Sequence, residues 1–366
     1  SRGYTPDQLR GNSMNWYHTY NVASGLATFP PEACDKLAAE LIWYCTENMP
    51  RWNTTNLFGY GIEESGANAY EEVAVIVAAG MSITRRCMEL GLAPDDFLPR
   101  FGFQIAQGND FFEEIAKIRA LRKIWAKTNR DTFGAEKPQS MQVRIHTHTS
   151  GAMLTAQQPL VNLIRTSIQG LGAALSGVQA MEIPGYDEAL AIPSEDAARL
   201  ALRIQQVVAE ETNIDKVTDP LGGSYYLESL TAALERKAME IIERIEEKGG
   251  FIKAWESGYI RSLIEVSASK WKEKVDTGRQ TVIGVNKYKM KDDQKIPLYK
   301  IDPDTEKKQK VRDLEFKASR DQMRLDTAMK SLEESLISFR NGDNDHSLVP
   351  SMIEAARRGA TSGEMM

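Results

Sequence analysis

Only four histidines occur in this chain of 366 residues, and two stand two positions apart in Val143-Arg144-Ile145-His146-Thr147-His148-Thr149-Ser150. In a β-strand residues i and i+2 share a face, so both imidazoles should emerge side by side. They fall at the C-terminal end of the run, where parallel α/β proteins place their sites. Three chemistries are open to such a pair: metal ligation, a hydrogen-bonded structural role near the sheet edge, or the lining of a ligand cavity. No carboxylate or cysteine adjacent in sequence completes a zinc ligand set, so no metal is expected and the cavity reading leads. Arg100, opening the run Phe101-Gly102-Phe103, is either a surface snorkeller or an anion contact. Gln179 and Glu188 flank the last strand and its loop, and Glu188 also suits the acidic first turn of a helix. Asp219-Pro220-Leu221-Gly222-Gly223-Ser224 reads as a turn needing positive φ more readily than as a phosphate cradle. No Ser/His/Asp order, paired-acid spacing or Cys/His dyad is present.

The elements that would position these residues alternate. Short β-like runs cover 12–15, 55–60, 100–104, 142–148 and 177–183. Helical patterns cover 67–90, 110–127, 155–175 and 195–211. This alternation predicts a parallel sheet covered by helices. Asn109 or Asp110 is placed to cap the helix that carries Phe111, Ile115, Ile118, Arg122 and Trp125 along one face. A further amphipathic helix is expected over 225–248, stopped by Gly249-Gly250. Five β-α units are visible, whereas a closed (β/α)₈ barrel needs eight strands and an open doubly wound sheet five or six. No glycine-rich dinucleotide loop follows the first strand, and on pattern alone the two architectures stay close.

The composition, 42% hydrophobic and 26% charged with a net charge of −6, is that of a globular chain and offers no basic footprint for nucleic acid. No apolar run approaches the roughly 20 residues of a membrane span, and the opening Ser1-Arg2-Gly3-Tyr4 has no signal-peptide character. Cys34, Cys45 and Cys87 are too few for a disulfide framework and predict reduced thiols in a cytoplasmic or similarly reducing compartment. Three regions are expected: 1–285 as the α/β unit, 286–310 as a connector dense in Lys and Asp, and 311–366 as a helical tail with helices over 311–340 and 349–359.

Several segments resemble the coenzyme B12-dependent acyl-CoA mutases of the methylmalonyl-CoA mutase family. They include Phe112-Glu113-Glu114-Ile115-Ala116-Lys117-Ile118-Arg119-Ala120, His146-Thr147-His148-Thr149-Ser150-Gly151 with Leu154-Thr155-Ala156-Gln157, and Tyr186-Asp187-Glu188-Ala189-Leu190-Ala191-Ile192-Pro193. Asp219 to Tyr225, Gly284-Val285-Asn286-Lys287-Tyr288 and Ile353 to Thr361 continue the match across nearly the whole chain. The resemblance implies a TIM barrel of which strands four to eight are present. The tail would lead towards a cobalamin-binding domain, and adenosylcobalamin would supply the radical that rearranges an acyl-CoA carbon skeleton. It implies an isomerase, partnered by an acyl-CoA substrate and a cobalamin-binding domain or subunit in a hetero-oligomer or longer chain, with no nucleic acid and no membrane. On this reading Ser1 is an internal position. The stretch Asp343-Asn344-Asp345-His346 falls short of the D-x-H-x-x-G cobalamin loop, and His18 carries no constellation.

By position, His146 resembles the family histidine near corrin and substrate, Gln179 a glutamine at the substrate and CoA region, Glu188 the adenosyl-ribose glutamate and Arg100 a CoA-contacting arginine. The departures are Gly61, beside Tyr60, where the family has a thioester-binding histidine; Met14 for a glutamine; Ser24 for the arginine that grips a free carboxylate; and His148 for a glutamine. A buried acyl carboxylate without its arginine costs several kcal/mol, which argues against methylmalonyl-CoA and for a bulkier or carboxylate-free acyl group, with His148 replacing the missing donor. The alternative is a catalytically silent acyl-CoA-binding or partner subunit.

Overall fold

The computed structural model describes residues 3–15, 29–291, 295–341 and 347–365. Its strands are β1 (Gly11–Asn12), β2 (Trp52–Asn53), β3 (Thr55–Phe58), β4 (Phe101–Gln107), β5 (Arg144–Thr149) and β6 (Ala180–Glu182). All pair in parallel: β1 with β2, and β3-β4-β5-β6 in one sheet whose spatial order is the chain order. Only Thr54 separates β2 from β3, so one extended segment pairs with β1 at its start and β4 at its end. The five sequence-predicted runs each contain or border one of these pairings.

Helices cover one face of the sheet. They are α1 (Pro31–Asn48), α2 (Tyr60–Glu64), α3 (Ala69–Glu89), α4 (Phe111–Lys127), α5 (Asn162–Leu175), α6 (Glu195–Glu211), α7 (Tyr225–Glu247), α8 (Phe251–Glu256) and α9 (Tyr259–Asp276). Leu57, Phe103, Ile105 and Ile145 point from the sheet into a dry core with Val73, Ile76, Val77, Ile118, Leu121 and Trp125. A Cβ on Gly80 would meet Trp125 at 2.8 Å and Leu57 at 2.9 Å, so glycine is what lets α3 sit this close to the sheet. Asn68 and Glu71 form a capping box at the start of α3, and Asp110 caps α4. The Gly249 and Gly250 φ angles of +93° and +90° end the α7 segment as expected.

Three boundaries differ from the sequence reading. The helix expected from 155 begins only at Asn162, because Gln158 is left-handed (φ 49) and Pro159 constrains the turn. Inside the predicted 286–310 connector, helix α10 (Thr305–Ser319) already starts, nucleated by the Asp302 carbonyl accepting from Thr305 N at 3.0 Å. The tail helix expected over 311–340 is broken at Arg320, where the backbone is extended and Asp321 caps a new helix, α11 (Gln322–Arg340). The final helix expected over 349–359 is α12 (Leu348–Arg357). It is not a free linker: Leu348 and Ala355 pack with Ala328, Leu332 and Leu37. Its first amides, Leu348 and Val349, donate to the Glu40 carboxylate of α1, and Ser347 Oγ donates to the same oxygen at 2.7 Å. Helices α1, α2, α8 and α9 were not anticipated, and Tyr60, expected at the end of the 55–60 run, opens α2 instead.

Candidate functional site

The sheet's second face is not apolar. Register aligns Asn56, Gly102 and Arg144 in one layer, Phe58, Gln104, His146 and Ala180 in the next, and Ala106, His148 and Glu182 in the last. Alternate residues of a strand share a face, so these side chains form one surface opposite the dry core. Most of them are only half-buried or exposed.

The two imidazoles do emerge together. Glu182, from the neighbouring strand, stands between them, its carboxylate oxygens 3.6 Å from His146 Nε2 and 3.7 Å from His148 Nε2. A carboxylate therefore does neighbour the pair in space, although none does in sequence. Even so, among the described residues no group of three or more His, Cys, Asp or Glu is arranged to hold a metal ion. His148 Nδ1 donates to the Thr149 carbonyl at 2.8 Å, which leaves Nε2 as the ring atom facing the open side. The His148 ring lies against Tyr60, centroids 4.1 Å apart.

Around His148 the loop after β5 is tightly held. The Ala152 amide donates to Glu64 at 2.8 Å, and Ser150 Oγ lies 2.8 Å from Glu64 and 3.0 Å from Glu63. A hydroxyl has one proton to give. With Glu63 protonated, its carboxyl donates to Ser150, which donates on to Glu64. Burial, then the adjacent Glu114, holds the Glu63 carboxyl well above the usual carboxylate range and supplies that proton. A Cβ on Gly151 would sit 3.2 Å from the Tyr60 hydroxyl, 3.3 Å from Glu64 and 3.7 Å from Glu188, so its absence leaves a small polar cradle. Burial raises the Glu188 carboxyl, His148 opposes this, and Glu64, Asp187 and Glu182 add to it. Burial is also the first cause that lifts the Tyr60 phenol, with Glu64 and Glu188 next.

Behind the same strand ends lies a sealed ionic cluster. Because β3 stops opposite Gln104, the Ala106 backbone has no strand on that side. Its N–H donates to Glu72 at 2.9 Å and its carbonyl accepts from Lys117 Nζ at 2.8 Å. Lys117, with its side chain wholly buried, also reaches Glu72 at 2.7 Å and Glu114 at 2.6 Å. Burial alone would push this ammonium down; Glu114, Glu72 and Glu63 reverse it and hold it above the ordinary lysine range.

The remaining sequence candidates are dispersed. Gly61 is buried in α2, and Met14 sits at the first layer, its sulfur 3.8 Å from Asn56 Nδ2. Arg100 lies just before β4, at the other end of the sheet from His148, donating to Cys45 O, Thr46 Oγ1 and Asp96 O. Gln179 Oε1 accepts from Ile145 N at 2.6 Å, bracing the entry to β6. The structure brings neither of them to the imidazoles. Asp219 (φ 49) and Gly223 (φ 83) have the positive φ that the turn reading expects, and Asp219 also accepts from Arg119 at 2.6 Å. Ser24, His18 and His346 lie outside the described residues. Two residues of the polar face were missed: Arg144, which the same i, i+2 rule places below His146 and which donates to Asn53 at 3.0 Å, and Glu182, which only the register reveals. A cavity of about 930 Å³ lies elsewhere, under the loops after β4 and β5 and against α9, with Glu63, Asn68, Glu114, Thr155 and Lys270 in its wall. His146 and His148 face the open side of the sheet instead.

Comparison with known proteins gives one consistent result. The family described as methylmalonyl-CoA mutase matches residues 1–366. The 2-hydroxyisobutanoyl-CoA mutase large subunit of Aquincola tertiaricarbonis is 37% identical over 366 residues, all of this chain and 64% of that protein. The methylmalonyl-CoA mutase of Escherichia coli (strain K12) is 35% identical over all of this chain and 50% of its own length. The methylmalonyl-CoA mutase large subunit of Propionibacterium freudenreichii subsp. shermanii gives the same figures. The chain thus spans between half and two thirds of the length of these relatives.

Proposed function

Because the chain belongs to the methylmalonyl-CoA mutase family, we propose that it is the catalytic barrel region of an adenosylcobalamin-dependent acyl-CoA mutase, an isomerase that rearranges the carbon skeleton of an acyl thioester. The observation that carries this is the pair His146 and His148, side by side with Tyr60 at the C-terminal end of a parallel sheet. The strand order supports an arc of a (β/α)₈ barrel: β3 to β6 follow chain order with no reversal, whereas a doubly wound sheet reverses at its switch point. The polar face would be the barrel interior.

The residues fit the cofactor at the cradle over Gly151, where Tyr60, Glu64 and Glu188 converge. Glu188 would accept a ribose hydroxyl, and His146 would lie towards the corrin. The bound cofactor supplies the radical that begins the rearrangement. The chain's own part is to hold the acyl group against that radical and keep other reactants out. Tyr60 fixes the His148 ring, and the Glu63-Ser150-Glu64 chain fixes the loop that follows it. With Nδ1 donating to Thr149 O, a donor at His148 Nε2 requires the imidazolium, and this is the form that would replace the histidine absent at Gly61. The acyl-CoA substrate and a cobalamin-binding domain or subunit are the partners this reading needs. Buried thiols, with Cys45 pushed up to about 11 by burial, agree with a reducing cytoplasm. No described helix is long and apolar enough to cross a membrane.

The test is isotope exchange from a labelled acyl-CoA into deoxyadenosine in the complete cobalamin-loaded assembly. Exchange is expected with at least one thioester, and His146→Ala should lower its rate by about 10² or more. Gly61 and Met14, where the family has polar groups, favour the second reading of a silent acyl-CoA-binding subunit. Thioester binding without exchange for any acyl group would establish that one.

A further inference from the structure

Glu182 is the only carboxylate that register places directly across from His148 on the polar face, and its side chain remains 59% exposed. Its distances to the two imidazoles, 3.6 and 3.7 Å, are too long for hydrogen bonds. The imidazoles flank it but leave its lone pairs unspent. We propose that Glu182 selects the acyl group. It accepts a hydrogen bond from a donor on the acyl moiety, a hydroxyl or an ammonium, and turns away acyl groups that end in a carboxylate.

This rests on the acyl-CoA reading of the site and deepens it. An acyl group held against His146 and His148 lies within reach of the Glu182 oxygens, since the same atoms bound one small region. The surroundings are acidic: Glu64 and Glu188 converge over Gly151, and Glu182 and Glu64 both act on the Glu188 carboxyl. The guanidinium on this face, Arg144, is two layers away and directed at Asn53, which leaves only the imidazoles to offset the acidic charge. An anionic acyl end would therefore enter among three carboxylates, whereas a donor finds an acceptor with free lone pairs. A site built to hydrogen-bond a substrate group discriminates strongly against analogues lacking it, because the unpaired site group is then desolvated for nothing.

The test uses the complete assembly and four thioesters of closely similar size: 2-hydroxyisobutyryl-, 2-aminoisobutyryl-, pivalyl- and methylmalonyl-CoA. Equilibrium binding is measured for the wild type, Glu182→Gln and Glu182→Asp. The wild type should bind the hydroxyl or ammonium thioester about tenfold or more tightly than pivalyl-CoA, and methylmalonyl-CoA most weakly. Which of the two donor thioesters ranks first identifies the donor. Glu182→Gln should compress that ranking, with methylmalonyl-CoA gaining about tenfold, while Glu182→Asp keeps the carboxylate excluded. An unchanged ranking in Glu182→Gln, at an unchanged thermal midpoint, overturns the assignment of Glu182 and leaves the acyl-CoA reading intact. If the wild type binds none of the thioesters, the acyl-CoA reading itself falls.

Discussion

The ends of β4 and β5 carry ionisable residues on both sides, and the two sides treat them in opposite ways. Behind the sheet, Lys117 is wholly enclosed, donates to Glu72 and the Ala106 carbonyl, pairs by charge with Glu114, and has no contact with solvent. In front, Glu182 lies 3.6 Å from His146 and 3.7 Å from His148 yet hydrogen-bonds neither. Burial shifts ionisation on both sides, raising Glu63 and Glu72 behind and Tyr60 and Glu188 in front, so pKa does not tell the sides apart. Availability is the better criterion: a satisfied buried pair completes a backbone, whereas directed but unspent groups can take a ligand.

The comparison can be broken most severely at its closed side. Lys117→Met leaves Glu72 and Glu114 buried without their counter-charge, and should cost about 3–5 kcal/mol of unfolding free energy, read by urea denaturation. Glu63→Gln tests the same side more gently. Its folded carboxyl is raised, so its contribution to stability is complete below the unfolded value of about 4.3 and is lost as pH climbs through the folded value. The variant needs no proton there; it should lose less stability than the wild type between pH 5 and 9, read by urea denaturation across that range. A parallel pair of pH profiles would show that Glu63 is ionised at no cost. On the open side, His148→Gln should cost only about 1 kcal/mol of unfolding free energy, for the lost Thr149 hydrogen bond and Tyr60 contact, and yet reduce turnover. Unchanged turnover would remove His148 from the donor role.

Much of the scaffold was legible because alternation needs only local sequence. The five β-runs, the Asp110 cap and the Gly249-Gly250 stop all follow from neighbours within a few residues. Helix α1 escaped notice because its buried stripe is Cys34, Ala38, Ala39, Ile42 and Cys45, mostly small residues that contrast weakly with its polar face. The break at Arg320 was hidden inside a continuous charged pattern, and Asp321 became a cap only once the tail turned back. At the site, spacing alone put His146 and His148 on one face, and the same rule would have included Arg144. Glu182 was invisible for a different reason: its place beside His148 depends on how β6 slides against β5, a register set by packing and not by either strand's own text. Arg100 and Gln179 show the converse, residue types suited to ligands that are engaged by neighbouring backbone.

The Glu40 cap joins residues more than three hundred positions apart, since Ser347 and Leu348 are its donors. During synthesis α1 emerges some three hundred residues before Ser347, and Leu37 and Glu40 stay without these partners until that segment has been made. Loop closure over that distance is slow relative to local helix formation, so the segment between them first folds against an incompletely covered α1. The docking of α12 is then a late step, and proteolytic sensitivity at α1 would report when it happens.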